Sequence, residues 1–254
     1  MTDSPSPAFR TLVLDVDSTV SGIEGIDWLA ARRGDVVARR VADLTSNAMQ
    51  GGVPLEQVYG LRLNAIRPRR EEVDALSRAY VDALAPGAVE TIARLRRLGV
   101  QVILVSGGLR HALLRMALHL GLSPSDVHAV ALRFDAGGAY QGYDAASPMT
   151  TSDGKRRVVG DLDLEGPVLA VGDGATDLAM RDVVDLFAAY TGFTTRPNVV
   201  EHADVVVASF AELERVVLSP PDPSIRGAHD RTRRSDRRRT SAGPSLVREN
   251  RPDP

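Results

Sequence analysis

Apolar residues gather along this chain in short continuous runs, and between several of them the spacing becomes helical. The runs TLVLDV (11–16), VQVILVS (100–106), VHAVALRF (127–134), PVLAVGD (167–173), VDLFAAY (184–190) and ADVVVAS (203–209) are mostly β-branched and aliphatic. They lack a clean polar–apolar alternation, which predicts strands buried on both faces of a parallel sheet. The segments PGAVETIARLRRLG, GLRHALLRMALHLG and TDLAMRDV instead repeat apolar residues at helical intervals. Pro86 near the start of the first and Gly99 past its end fit the asymmetry of helix termini.

Strand, helix, strand in repetition predicts an α/β fold, a Rossmann-like doubly wound and mainly parallel sheet covered by helices. One interval breaks the rhythm. Between Val20 and Leu84 the chain shows only helical patterns, among them EGIDWLAARRGDVVARRVADLTSNAM, PLEQVYGLRLNAI and REEVDALSRAYVDAL. That is far too long for an ordinary strand-to-helix connection. The expected organisation is an N-terminal extension (1–10), a catalytic core of 11–20 plus 85–218, a helical cap inserted as 21–84, and a tail over 219–254. A cap above the carboxyl edge of the sheet would exclude water and select ligands; a helical dimerisation arm is the alternative.

Composition sets the limits. With 254 residues, 43% hydrophobic and 25% charged, the chain reads as a soluble globular protein, either one domain with an insertion or two small domains. No apolar run is long enough to cross a bilayer, and MTDSPSPAFR has no hydrophobic signal region. A cytoplasmic location is the expectation. Zero cysteines exclude disulfides, thiol catalysis and zinc–thiolate sites. The net charge of −2 hides a basic end: residues 219–254 hold nine Arg against five Asp and Glu, and six of the fifteen prolines. Almost nothing there is apolar, so disorder is expected. Interspersed acids and the lack of an aromatic residue disfavour a nucleic-acid or membrane tether.

The chemistry collects at strand ends, where α/β sheets bind their ligands. Asp15 and Asp17 leave the first strand on the same side, followed by Ser18 and Thr19. Isolated, two such carboxylates repel, so a bound cation or a shared proton is expected; a helix cap is the plainer alternative. Ser106 ends the next strand, with Gly107 and Gly108 leading into a helix, a hydroxyl and backbone N–H set suited to phosphate. Asp173 ends another, with Asp177 one turn into the following helix. Each cluster alone could be a turn or a first-turn charge. Together, four carboxylates without His or Cys call for a hard cation, and point to Mg²⁺. Lys155 is the chain's sole lysine, the other thirty basic residues being Arg. A tight phosphate site can demand a compact ammonium where a planar guanidinium will not fit.

With these clusters in this order, the chain resembles the haloacid dehalogenase superfamily over residues 11 to about 218. Asp15-x-Asp17-Ser-Thr is similar to its first motif, Ser106 to its second, Lys155 to its third, and Gly172-Asp173-Gly-Ala-Thr-Asp177 to its fourth. DVDSTV, EGID, GDGATD and the segment TSNAMQGGVPLEQVYGLRL most resemble the phosphoserine phosphatase family. Where that family often has an aromatic residue after the glycine-rich cap turn, this chain has Leu55; Thr176 is a variant the family tolerates.

The resemblance implies Mg²⁺-dependent hydrolysis of O-phosphoserine, the last step of serine biosynthesis, through an aspartyl-phosphate. It implies Asp15 as nucleophile and Asp17 as general acid and base. Asp15, Asp173 and the backbone carbonyl of Asp17 are the implied metal ligands, with Asp177 behind them. Ser106, Gly107 and Lys155 would neutralise the phosphoryl oxygens, and Thr176 would touch the same group. Glu24 would receive the substrate ammonium and Arg62 its carboxylate. Three alternatives stay open: phosphoryl transfer from phosphoserine to homoserine, hydrolysis of another small phosphate ester, and a phospho-accepting receiver module. Asp17 argues against the last, since an acid beside the acceptor promotes turnover.

Overall fold

The computed structural model describes residues 7–49 and 53–219. The tail expected over 219–254 lies outside them, apart from Ser219, as do the first six residues. The described residues fall within one compact unit.

Six strands make the main sheet: β1 (Thr11–Leu14), β2 (Gln101–Leu109), β3 (Val127–Val130), β6 (Val168–Gly172), β7 (Leu186–Tyr190) and β8 (Val205–Val207). Their order is β3-β2-β1-β6-β7-β8, and every pairing is parallel. β1, β6 and β7 are buried throughout, as continuous apolar runs require when helices cover both faces. The chain winds outward from β1 through β2 and β3 on one side, then returns through β6, β7 and β8 on the other. β1 therefore sits at the switch point, where the carboxyl ends of its neighbours leave a crevice.

The crossover helices are amphipathic. α5 (Ala88–Arg97) buries Ala88, Thr91, Ile92 and Leu95 and carries Arg94, Arg96 and Arg97 in its last turn, where cations meet the helix dipole favourably. Gly87 and Gly99 bracket it with φ of 79° and 86°, a region open to glycine at little cost. α6 (Arg110–His119), α7 (Gly154–Asp161), α8 (Ala175–Leu178), α9 (Pro197–His202) and α10 (Phe210–Leu218) complete the covering layers. Between β1 and β2 come α1 (Gly25–Ala31), α2 (Asp35–Met49), α3 (Leu55–Ile66) and α4 (Arg70–Asp82). Among the described residues no helix is long and apolar enough to cross a membrane.

Two sequence expectations need correction. The run 127–134 is not one strand. It breaks after Val130, and β4 (Leu132–Phe134) pairs antiparallel with β5 (Tyr140–Tyr143) as a separate hairpin. Three- and four-residue strands, one holding Gly142 at φ 129°, carry too little alternation to be recognised. Nor does β2 stop at Ser106. It runs on to Leu109 with a register shift between Val105 and Leu109, so Ser106, Gly107 and Gly108 are strand residues rather than a helix start.

Candidate active site

The first acidic pair is set by a tight turn. The Val16 carbonyl accepts from the N–H groups of Thr19, Val20 and Ser21 at 3.0–3.2 Å. Folding back this sharply puts Ser18 at φ 54°, a costly region for a residue with a Cβ. Ser18 is held there by donating its hydroxyl to Glu24 Oε1 at 2.7 Å. Asp17 Oδ1 accepts from Gly25 N at 3.0 Å and from the Tyr80 hydroxyl at 2.6 Å.

Lys155 reaches Asp15 from the first turn of α7. Its ammonium donates to Asp15 Oδ1 and Asp177 Oδ1, with all three side chains buried. Gly154 makes the approach: a Cβ there would lie 1.9 Å from the Pro148 carbonyl oxygen. Gly172 does the same for Asp177, whose carboxyl carbon would be 2.3 Å from a Cβ at that position. The other Asp177 oxygen accepts from Gly174 N at 2.9 Å. Asp15, Asp173 and Asp177 each offer a carboxylate oxygen within 4.8 Å of one another. A buried, all-oxygen donor set of this kind fits a hard divalent cation.

The electrostatics show how crowded the cluster is. Burial, then the Asp177 charge, push Asp15 well above the usual carboxylate range, against the pull of Lys155. Burial and Asp177 likewise push Asp173 up to about 6, with Arg196 opposing. Burial pushes Lys155 down, but the charges of Asp15 and Asp177 more than reverse this and hold it protonated. Asp17 is raised by burial, in spite of the hydrogen bonds from Tyr80 and Gly25.

A cleft opens beside these groups, lined by Asp15, Asp17, Lys155, Asp173, Thr176 and Asp177 on the sheet side and by Glu24 and Arg62 among the inserted helices. Burial, then the Asp17 charge, push Glu24 up to about 8. Arg62 is buried and donates to Thr45 Oγ1 at 3.2 Å, and among the described residues its Nε has no hydrogen-bond partner. Gly107 also lines the cleft, whereas Ser106 is fully buried just behind it, its Oγ accepting from Gly108 N at 2.9 Å. The helices are clasped to the sheet edge. Tyr59 donates to the Gly107 carbonyl at 2.8 Å, and Leu55 N donates to Ser152 Oγ at 3.0 Å.

Four lining or supporting residues are not among the site residues expected from sequence. Arg196 Nε donates to Asp173 Oδ2 at 2.9 Å and its other end lies 3.8 Å from Glu24. Asp27 faces Arg62 and accepts from Thr45 at 3.3 Å. Tyr80 stands behind Asp17. Arg196 could have been suspected from the loop after a strand end, but helix periodicity marks Asp27, Thr45 and Tyr80 only as ordinary positions.

This fold and site define a class. Residues 9–181 match the model of the haloacid dehalogenase-like hydrolases, and the chain belongs to that family. It is 36% identical over 202 residues to a phosphoserine phosphatase of Rattus norvegicus, covering 78% of this chain and 89% of that protein. The human phosphoserine phosphatase is 37% identical over the same span. Among solved structures, a phospho-aspartyl intermediate analogue of a phosphoserine phosphatase superimposes with a TM-score of 0.69 at 26% identity, covering 82% of this chain and 98% of that one. Within the hydrolases, the chain is thus a member of the phosphoserine phosphatase family.

Proposed function

We propose that this chain hydrolyses O-phosphoserine to serine and inorganic phosphate through a phosphoryl group carried transiently on Asp15. The observation that carries the reading is the meeting of Lys155 with Asp15 and Asp177 in one buried cluster, facing a cleft that also holds Glu24 and Arg62. Phosphate monoesters are among the slowest esters to hydrolyse unaided, and a carboxylate nucleophile divides the task into two easier steps.

In the first step a carboxylate oxygen of Asp15 bonds to phosphorus as the bond from phosphorus to the seryl oxygen breaks. Asp17, whose pKa burial has raised, gives its proton to that oxygen. In the second step water attacks the phosphoryl group, Asp17 takes the water's proton, and the Asp15–phosphorus bond breaks. Lys155, Gly107 and Thr176 meet the phosphoryl oxygens as charge shifts, and Ser106 acts from the same strand. Asp15, Asp173 and the Asp17 backbone carbonyl would hold Mg²⁺, with Asp177 behind them; bound there, the ion supplies Lewis-acid neutralisation of phosphoryl charge. Selectivity comes from the inserted helices. Glu24 pairs with the ammonium of free phosphoserine, and the substrate carboxylate gives Arg62 Nε, which has no partner among the described residues, an acceptor.

The test is Mg²⁺-dependent phosphate release from O-phosphoserine. Asp15→Asn is expected to fold but lose turnover entirely, and retained turnover would remove Asp15 as nucleophile. Arg62→Ala is expected to raise KM for O-phosphoserine while p-nitrophenyl phosphate is still hydrolysed; equal losses on both would count against its role.

A further inference from the structure

The hydrogen bonds around Asp17 are one-sided. Oδ1 accepts from both Tyr80 and Gly25 N, so its two lone pairs are engaged. Oδ2 lies beside Gly108, 3.1 Å from where a Cβ on that glycine would stand. Among the described residues it receives no hydrogen bond. The two oxygens of one carboxyl group are therefore not equivalent.

Tyr80 occupies a place built for it. Its side chain is fully buried near the C-terminal end of α4. A Cβ on Gly25 would come within 2.0 Å of its hydroxyl, and one on Gly108 within 3.5 Å. Two glycines thus leave the slot that admits the phenol. The Tyr80 backbone is anchored as well, its carbonyl accepting from Ser21 Oγ at 3.1 Å. A buried phenol needs an acceptor, and here the acceptor belongs to the acid of the site.

We propose that Tyr80 is a positioning residue for proton transfer: by engaging Oδ1 it leaves Oδ2, the oxygen beside the cleft-lining Gly108, to carry the proton exchanged with the substrate. This rests on the reading of Asp17 as the acid. In the forward step the proton leaves Oδ2 for the departing oxygen as its bond to phosphorus breaks; in the second step a proton of the attacking water arrives at Oδ2. Without the phenol hydroxyl, Oδ1 keeps one donor, and the carboxyl group can rotate or hold its proton on the wrong side.

The prediction separates leaving groups that need a proton from one that does not. Tyr80→Phe keeps the ring and removes the hydroxyl. With saturating Mg²⁺ and the full chain, kcat/KM is measured for p-nitrophenyl phosphate, phenyl phosphate and O-phosphoserine. Nitrophenolate departs readily unprotonated; phenolate and the seryl alkoxide leave progressively less readily. The ratio of phenyl to p-nitrophenyl phosphate should fall, and that of O-phosphoserine to p-nitrophenyl phosphate should fall by about tenfold, part of the ~10²–10⁴ a placed proton donor contributes. Gly25→Ala, which crowds the hydroxyl and keeps the N–H donor, should skew the ratios the same way. Equal losses on all substrates, or unchanged ratios in either variant, overturn the proposal. A wild-type chain inert toward O-phosphoserine overturns the substrate assignment instead, and the phenyl to p-nitrophenyl ratio still decides the role of Tyr80.

Discussion

Replacing Lys155 by Met tests the buried cluster most directly, because the stem is kept and only the ammonium is lost. Asp15 and Asp177 would then face each other with side-chain exposures of 6% and 2% and no shared cation. Removing one partner of a buried ion pair costs about 3–5 kcal/mol, and here two carboxylates are stranded, so the upper end applies. In a chain of this size each kcal/mol lowers Tm by ~2–4 °C, giving a fall of ~10–20 °C. The sign of the pH dependence follows from Asp15, raised by burial and Asp177 but held down by Lys155. Without the lysine it rises further above the unfolded value of about 3.9. A carboxyl group whose folded pKa is raised binds more protons folded than unfolded, so the penalty grows as pH climbs through that interval and fades in acid. Thermal melts of both proteins followed by circular dichroism, with chelator, at neutral pH and in mild acid, make the comparison. Excess Mg²⁺ at neutral pH should recover part of the loss. An unchanged Tm at neutral pH, or a gap that widens in acid, would refute the reasoning.

Two further outcomes follow. Glu24, raised to about 8, must lose its proton to pair with an ammonium. KM for O-phosphoserine should therefore fall as pH rises toward about 8, while that for p-nitrophenyl phosphate, which has no ammonium, should not share the trend; matching slopes would remove Glu24 from that role. Arg196 shields Asp173 Oδ2, so Arg196→Gln should raise Mg²⁺ affinity by about tenfold. Isothermal titration calorimetry without substrate reads this, and unchanged or weaker affinity would oppose it.

The sheet was legible because parallel strands buried on both faces leave unbroken apolar runs, and β1, β6 and β7 lie where those runs do. Asp15, Asp17 and Asp173 were legible for a related reason: an abrupt change from apolar to acidic marks a strand end, and parallel strand ends converge. Lys155 stood out only through its uniqueness in composition. The hairpin of β4 and β5 was hidden by short strands, and the extension of β2 to Leu109 by two glycines that read equally well as a turn. Tyr80 and Asp27 were hidden more deeply. On a helix, periodicity tells which face is buried but not which buried residue meets a distant carboxylate or guanidinium, since that depends on how helices far apart in sequence cross.

The clasp from Tyr59 to Gly107 and from Leu55 to Ser152 bears on what this molecule leaves alone. A phosphorylated serine inside a polypeptide has amides where the free amino acid has charges, and trailing chain on both sides to fit into a cleft that Leu55, Tyr59 and Gly107 line. On the reading above, such residues are spared, so a catalyst of this kind can work among phosphorylated proteins without erasing the marks they carry.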